Sequence, residues 1–473
     1  MKKSLIALAA LAATSAFAQS SVTLYGIVEA TTDIGYNRQI DTTTTINTFN
    51  AAGAGLTSTN TSTSSSQKNG FRVQDGSSQG TGSSRVGFRG TEDLGGGLKA
   101  NFQLEMGLRV DDGCTTLGGV AGPFGTAAVT ATAGNNQVFC NNGGNSENSG
   151  GSTFGRNAWA GASGGFGEVR IGRQVLGSFS VQGNSGASGS SNGLYDATTA
   201  TLSPLGGVRF SNAIRYLSPN FGGFRGSLML AAPESAGPTS GTSTTATGLV
   251  TTTGASRRTG VDLALEYNNG PAYIGFGYNK NDGANGTSST TPTVLGSTAV
   301  SGLPTTTTGY TLGGSYDLGV VKPFVNYTRQ TGSTSGSTAF TAFVPANSTF
   351  TSNTGDSTQR AFSVGLRAPV GAFTVITGYG RSTTTGNTLS SVTALGVTTV
   401  TAGRIEAKVD AFQLGAQYAL SKRTLVEANY GYNKLRSNGS SVVSATAPAN
   451  RTDTLSRTND RISALNVGLK HSF

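Results

Sequence analysis

The clearest pattern in the chain is a strict alternation of apolar and polar residues from Leu98 to Val110. Only a β-strand places every second residue on one face, so the stretch predicts a strand with one apolar and one polar side. The residues Arg85–Arg89 alternate in the same way, and the glycines of Glu92–Gly96 suit a tight turn. Together these residues predict a β-hairpin.

Two environments could require such a hairpin. In a soluble sandwich the apolar face is the core, whereas in an outer-membrane barrel it meets lipid and the polar face lines a water-filled lumen. Comparable alternating segments recur to the last residue, and we count sixteen predicted strands. An even number lets the first and last strands pair antiparallel and leaves no open sheet edge, which a barrel in lipid requires.

The predicted connections alternate between seven short turns and eight long polar loops, which is typical of outer-membrane barrels with short periplasmic turns and long extracellular loops. The low-complexity segment Thr57–Ser66 has too few apolar residues to order itself well, and we expect it to be mobile surface. The long loops are predicted at Asn37–Thr81, Asp111–Ser152, Val175–Gly207, Pro233–Thr259, Asn281–Thr308, Thr331–Thr358, Ser382–Glu406 and Arg436–Asp460.

Composition narrows the class further. The chain has 473 residues, of which 70 are glycine and 12% are charged. A soluble domain of this size carries about a quarter charged residues, and no apolar run after the N-terminus is long enough for a spanning helix. Met1–Ala18 combines two lysines, a short apolar run and Ala16-Phe17-Ala18, and predicts a secretory signal peptide. Residues 19–473 are then one all-β domain.

No residue pattern indicates an enzyme or a cofactor. His471 is the one histidine, and it falls on the predicted lipid-facing side of the last strand, so a nucleophile–histidine pair is improbable. Cys114 and Cys140 are too few for a metal site by themselves. Both belong to one predicted loop of a secreted chain, and a disulfide is our default expectation, with a reactive thiol or a metal ligand as the alternative.

At this point the sequence resembles a known family. Ser84–Leu104 (SRVGFRGTEDLGGGLKANFQL), Gly164–Gln174 (GGFGEVRIGRQ) and the terminal Gly468–Phe473 (GLKHSF) are similar to the general porins of Gram-negative bacteria, above all the trimeric sixteen-stranded porins of β-proteobacteria. The resemblance implies a sixteen-stranded antiparallel transmembrane β-barrel, a homotrimer, and a third long loop that folds into the lumen. The terminal aromatic Phe473 resembles the assembly signal with which outer-membrane proteins end, so we expect the assembly machinery to bind the last strand.

The lumen is where function is expected. Alternation points many arginines of the early strands inward, and guanidinium groups stay protonated at any relevant pH. The lumen-wall cations predicted in this way are Arg89, Lys99, Arg109 and Arg170. The resemblance implies a constriction beside the third loop, formed by Arg85, Arg156, Arg209 and Arg215 with the acids Glu105 and Asp196. The strand parity of Arg156 is ambiguous and requires a bulge or a rim position.

The sequence therefore predicts an outer-membrane porin, a water-filled channel through which small hydrophilic solutes and ions diffuse, with a preference for anions. Its expected partners are outer-membrane lipid, two further copies of the chain, the assembly machinery and the solutes in transit, without nucleic acid, metal or cofactor. The first alternative is an adhesin or structural barrel with a closed lumen, and an arginine-rich interior argues against it. The second is a soluble secreted β-protein, which detergent-free extraction would reveal.

Overall fold

Alternating residues form long paired strands in a computed structural model of the chain. The structure describes residues 21–49, 56–74, 84–108, 110, 115–116, 153–187, 197, 201, 207–233, 241–244, 250–253, 257–284, 304–336, 349–394, 397–445 and 451–473. The predicted signal peptide, Cys114 and Cys140 lie outside these residues, as do Arg109 and Asp196.

Within the described residues the strands and the one helix follow one another in this order: β1 (Ser21–Phe49), β2 (Leu56–Gln74), β3 (Arg85–Gly95), β4 (Leu98–Leu108), β5 (Thr115–Thr116), β6 (Asn157–Gly164), β7 (Gly167–Val175), α1 (Gly177–Asn184), β8 (Arg209–Leu217), β9 (Phe224–Ala231), β10 (Gly241–Thr244), β11 (Val250–Thr253), β12 (Arg257–Asn269), β13 (Ala272–Ala284), β14 (Pro304–Tyr316), β15 (Lys322–Gly336), β16 (Thr349–Val370), β17 (Phe373–Ala394), β18 (Val397–Ala419), β19 (Thr424–Ala445) and β20 (Thr452–Ser472). No helix among the described residues is long and apolar enough to cross a membrane.

Sixteen of these strands close into one antiparallel barrel, as the alternation predicts. Each pairs with its neighbour in the chain, and β1 completes the ring by pairing with β20 on one side and with β3 on the other. Strand β2 pairs with β1 from Thr31 to Phe49, on the same side of β1 as β3, which pairs with the first part of the strand. Of the remaining strands, β5 is a two-residue pairing with β4, and β10 and β11 form a separate hairpin.

The barrel wall is inverted relative to a soluble protein. Leu228 and Leu230 on β9 are 43% and 52% exposed, whereas Met229 between them is fully buried. Polar side chains on the inner face, such as Asn326 and Asn466, are also fully buried, Asn326 beside Ser185 and Asn466 beside Asp33. An outer face of exposed leucine, valine and aromatic side chains requires an apolar surrounding.

The last residue takes part in the closure. The backbone N–H of Phe473 donates to the carbonyl of Gly26 at 3.1 Å, and the N–H of Gly26 donates back at 3.2 Å. The Phe473 ring covers Gly26, where any Cβ would collide with it. Gly26 therefore provides the space in β1 that the terminal aromatic side chain fills on the outer face.

Several predicted loops are wrong in extent, because the strands continue far into them. Within the first predicted loop, β1 and β2 pair as far as Phe49 and Leu56, so Thr57–Ser66 is a strand. Threonine favours strands, and its hydroxyl bonds across them, as between Thr45 and Thr61 at 3.3 Å. The predicted seventh loop is largely the continuous pairing of β17 with β18 up to Ala394 and Val397.

Candidate functional site: a guanidinium cluster and the segment that crosses the lumen

One carboxylate inside the barrel is shared by two arginines. Glu105 on β4 accepts from the Nε of Arg156 at 2.7 Å and from Asn157 at 3.2 Å through one oxygen. Its other oxygen accepts from the Tyr25 hydroxyl at 3.0 Å and lies 3.6 Å from the Nε of Arg85 on β3. A charge-assisted hydrogen bond thus holds the Arg156 guanidinium in place, and a longer ion pair attracts Arg85 to the same carboxylate.

Arg156 enters this group because it precedes a strand. It lies immediately before β6, its backbone N–H donates to the Glu105 carbonyl at 3.2 Å, and its side chain is buried. The alternation of β6 places Ala158 and Ala160 outward, but it does not extend to a residue outside the strand. Arg156 therefore reaches Glu105 from a position just before the strand, where the alternation of β6 does not fix its direction.

Two further arginines lie near this group, Arg173 and Arg209. Arg209, at the start of β8, lies within electrostatic range of Arg156, Arg173, Glu105 and Arg85. Arg173 donates to the Gly155 carbonyl at 2.7 Å and to the Ser211 hydroxyl at 2.6 Å, and the Nε of Arg209 is buried without a hydrogen-bond partner. We call Arg85, Arg156, Arg173 and Arg209 with Glu105 the guanidinium cluster. It carries four positive charges and one negative charge.

Sequence reasoning missed Arg173. Strict alternation along β7 points it outward with Val169 and Ile171, but the register with β8 shifts between Gly172 and Gln174. Over this step β8 carries one extra residue, and a bulge of this kind distorts the strand pair locally. Gly172 itself has a φ of 129°, which an L side chain rarely adopts. The glycine before Arg173 was the available signal.

The segment after β7 crosses the lumen, as the resemblance implied for the third long loop. Its helix α1 begins against β12, the third strand along the wall from β7, where Asp262 is fully buried. The Asp262 carboxylate accepts from the N–H of Gly177 at 2.7 Å and of Ser178 at 3.2 Å, and the Ser178 hydroxyl donates to it as well. A carboxylate satisfies the free N–H groups of a helix start and is favoured there by the helix dipole.

The segment stays against that wall beyond the helix. Gln182 donates to Thr328 of β15 at 3.1 Å, and the side chains of Ser185 and Asn326 are hydrogen-bonded. Farther along, the N–H of Ala197 donates to Gln413 of β18 at 3.2 Å. The described part of the segment therefore contacts strands from β12 to β18 on the inner face of the barrel.

Glycines on these strands allow the close approach. A Cβ at Gly277 of β13 would lie 2.6 Å from the Cα of Ser178, and one at Gly380 of β17 would lie 2.5 Å from the Ala197 carbonyl oxygen. Both distances are shorter than any real Cβ contact, so a larger residue at either position would displace the segment. The wall is shaped to receive it.

Arg215 does not join the guanidinium cluster. Its guanidinium donates to the Val175 carbonyl at 3.0 Å and to the Ser227 hydroxyl at 3.1 Å. Asp262 and Arg170 are among the charged groups within electrostatic range of it. The structure thus places Arg215 at the point where the crossing segment leaves β7, next to the anchor of α1.

The predicted wall cations Arg89, Lys99 and Arg170 line one polar recess of about 600 Å³. Arg170 lies over the Trp159 ring at 4.2 Å and donates to Glu168 at 2.7 Å. Stacking on an aromatic ring holds a cation in a fixed position without neutralising it. The recess therefore presents three positive charges and one carboxylate to the lumen.

A closed barrel with an apolar exterior, a polar interior and a crossing segment defines an outer-membrane channel protein. The chain belongs to the Gram-negative porin family, whose family model matches residues 4–438. The protein is thus an outer-membrane β-barrel of the porin type, and the family and the fold concerned are channels.

Two relatives and one solved structure illustrate the similarity. The chain is 34% identical over 331 residues to outer membrane porin protein 32 of Delftia acidovorans, covering 68% of each chain. It is 29% identical over 445 residues to an outer membrane porin protein of Bordetella pertussis, covering 92% of this chain and 94% of that one. A loop-deletion mutant of the outer membrane protein OmpT of Vibrio cholerae has a TM-score of 0.50 at 13% identity, covering 96% of this chain and 99% of that one.

Proposed function

We propose that the barrel is a passive diffusion channel for small hydrophilic solutes and ions, that it prefers anions, and that its narrowest part lies beside the guanidinium cluster. The observation that carries the proposal is the charge of this cluster, with four guanidinium groups around one carboxylate. Walls of low dielectric constant concentrate such a field in the lumen. An anion entering this region is attracted and a cation is repelled.

The position of the crossing segment supports the same location. The segment contacts β12, β15 and β18, whereas the guanidinium cluster belongs to the wall from β3 to β8. A passage left beside the segment would therefore run along the arginine-bearing wall. In the proposed role, Arg85, Arg156, Arg173 and Arg209 attract anions, and Glu105 holds two of them in position.

The test is a planar-bilayer recording of the purified protein in a KCl gradient. An anion-preferring channel gives a zero-current potential of the sign set by chloride, and this potential decreases as the salt concentration rises, because screening shortens the reach of fixed charges. A potential of the opposite sign would refute the anion preference. Absence of conductance would favour the rival barrel with a closed lumen.

We further propose that the protein is a homotrimer, on the basis of its resemblance to trimeric porins. The exposed apolar outer face can meet either lipid or a neighbouring copy. The molar mass of the detergent-solubilised protein, measured by light scattering with the detergent subtracted, checks this proposal. A monomeric mass in several mild detergents would contradict it.

A further inference from the structure

A chain of three hydrogen bonds ends on the carboxylate of the guanidinium cluster. The indole N–H of Trp159 donates to the side-chain oxygen of Gln103 at 3.1 Å, and the Gln103 amide donates to the Tyr25 hydroxyl at 2.6 Å. The Tyr25 hydroxyl donates in turn to Glu105 at 3.0 Å. We call Trp159, Gln103 and Tyr25 the hydrogen-bond relay. All three side chains are uncharged, so any influence on ion selection has to act through Glu105.

The register of the strands brings the relay together. Gln103 of β4 lies directly opposite Trp159 of β6. Tyr25 of β1 lies opposite Gly87 of β3, and Gly87 lies opposite Glu105 of β4. A Cβ at Gly87 would be 2.7 Å from the hydroxyl end of the Tyr25 ring. The glycine therefore leaves the space through which Tyr25 reaches a carboxylate two strands away.

The first member of the relay fixes the direction of every hydrogen bond in it. Trp159 is the one tryptophan of the chain, and an indole can only donate. Gln103 therefore turns its oxygen toward Trp159 and its NH2 group toward Tyr25. The Tyr25 oxygen accepts from Gln103, and its single proton goes to Glu105. The relay thus presents a donor to the carboxylate.

Cations hold both aromatic rings of the relay. The Arg170 guanidinium lies 4.2 Å from the centroid of the Trp159 ring, and that of Arg89 lies 5.1 Å from the centroid of the Tyr25 ring. Contacts of a cation with the face of an aromatic ring are attractive and restrict both groups. The hydroxyl that reaches Glu105 is therefore held at both ends of the relay.

The relay ends on the same oxygen atom that faces Arg85. This Glu105 oxygen accepts from Tyr25 at 3.0 Å and lies 3.6 Å from the Nε of Arg85. A hydrogen bond between a guanidinium and a carboxylate is about 2.7–2.9 Å long, so Arg85 is attracted to Glu105 without being bonded to it. The other oxygen of Glu105 accepts from Arg156 and Asn157. Glu105 thus binds Arg156 closely and leaves Arg85 at a distance.

We propose that Tyr25 is a positioning residue for ion selection, because its hydroxyl occupies the Glu105 oxygen that faces Arg85 and keeps the Arg85 charge available to passing anions. This role rests on the proposed function of the guanidinium cluster. Without the hydroxyl, that oxygen loses a donor, and the Arg85 guanidinium is the neighbouring group that replaces it. A cation in direct contact with a carboxylate attracts a passing anion less, because the opposite charge acts on the anion from nearly the same place.

The test is Tyr25→Phe, which removes the hydroxyl and keeps the ring beside Arg89. Loss of one entire positive charge about 6 Å from the ion would lower the anion-to-cation permeability ratio about threefold, so partial loss should lower it about twofold. The ratio is measured from the zero-current potential in a KCl gradient. The change between variant and wild type tests Tyr25, whereas the sign of the wild-type potential separately tests the proposed anion preference.

Tyr379→Phe is the matched control, because a similar group of residues lies on the outer wall. The Tyr379 hydroxyl donates to Asp410 at 2.8 Å, and Asp410 pairs with Arg381 and Arg436, each at 2.6 Å. Asp410 lies on the same face of β18 as Phe412, which is 41% exposed, so this carboxylate is outside the lumen. The control should keep the wild-type permeability ratio.

Two further measurements separate positioning from a general disturbance of the wall. In a Glu105→Gln background, Tyr25→Phe should leave the permeability ratio unchanged, because no carboxylate remains for the hydroxyl and Arg85 to share. A crystal structure of Tyr25→Phe should show the Nε of Arg85 within about 3.2 Å of Glu105, compared with 3.6 Å in the wild type. Heat-modifiable gel mobility establishes that each variant is folded.

Three outcomes would overturn the proposal. An unchanged permeability ratio in Tyr25→Phe means that the hydroxyl does not influence ion selection. A fall in the ratio that persists in the Glu105→Gln background means that the hydroxyl acts on the ions directly and not through the carboxylate. An Arg85 guanidinium that stays 3.6 Å from Glu105 in the variant structure means that the hydroxyl does not keep these two groups apart.

Discussion

Replacing Arg85 by glutamate tests whether the guanidinium cluster controls ion selection. Arg85 is the partly exposed member of the shared ion pair, with 22% of its side chain accessible against 7% for Arg156, so its charge faces the lumen and its replacement disturbs packing least. The substitution changes the fixed charge by two units, which lowers the net charge of the cluster from three to one.

The expected size follows from elementary electrostatics. A monovalent ion about 6 Å from a fixed charge in water has an interaction energy of roughly 0.7 kcal/mol, and screening over a Debye length of about 10 Å at 0.1 M salt leaves about 0.4 kcal/mol. A change of two charges moves the anion and the cation by about 0.8 kcal/mol each in opposite directions. The combined change of about 1.5 kcal/mol corresponds to roughly a tenfold fall in the anion-to-cation permeability ratio.

The assay is the zero-current potential of single channels in a tenfold KCl gradient, fitted to a permeability ratio for wild type and variant. Arg404→Glu is the matched control, because Arg404 is exposed on the outward face of β18 and the same two units of charge change outside the lumen. Equal shifts in the two variants would show that net charge, and not the cluster, sets selectivity. No shift in Arg85→Glu would place the selective region elsewhere.

Three other predictions concern the crossing segment, closure of the barrel and the cysteines. Asp262→Ala removes an acceptor of three hydrogen bonds from the start of α1, and a hydrogen bond to a charged group is worth about 1.5–3 kcal/mol. Single-channel records of this variant should therefore show more frequent closures. Records identical to those of the wild type would refute the anchoring role. Phe473→Ala should lower the yield of folded barrel in the outer membrane by several-fold while leaving the conductance of the folded fraction unchanged, as measured by heat-modifiable mobility and bilayer recording. Cys114 and Cys140 should resist alkylation in the denatured, unreduced protein, and two alkylated thiols in the intact mass would disprove the disulfide.

The alternation of apolar and polar residues predicted those features of the fold that depend on local strand geometry alone. A strand places alternate residues on opposite faces, so the inward positions of Arg85 and Glu105 and the exposed Leu228 and Leu230 followed from the sequence. Closure of sixteen strands followed from the even count and the cost of an open edge in lipid. These features need no knowledge of distant contacts.

The alternation could not predict the full length of the strands or the contacts between residues distant in the sequence. The extended strands were missed because their serine and threonine residues resemble loop composition, although cross-strand hydroxyl pairs such as Thr45 with Thr61 hold them together. The pairing of Gly177 with Asp262 joins residues 85 positions apart, and no local periodicity reports such a contact. Arg173 was missed because the shift in register between β7 and β8 is not visible in the alternation of either strand.

The two sides of the lumen depend on each other. The wall from β12 to β18 offers glycines and acceptors to the crossing segment, as at Gly277 and Asp262. Because the segment lies against that wall, the proposed passage is left along β3 to β8, where the guanidinium groups of the cluster outnumber the carboxylate of Glu105. The residues that would determine ion selection are thus the arginines, but their effect requires the anchor of the segment on β12. For this reason Asp262→Ala should also reduce anion preference, since a segment released from its wall would widen the passage and place ions farther from the charges.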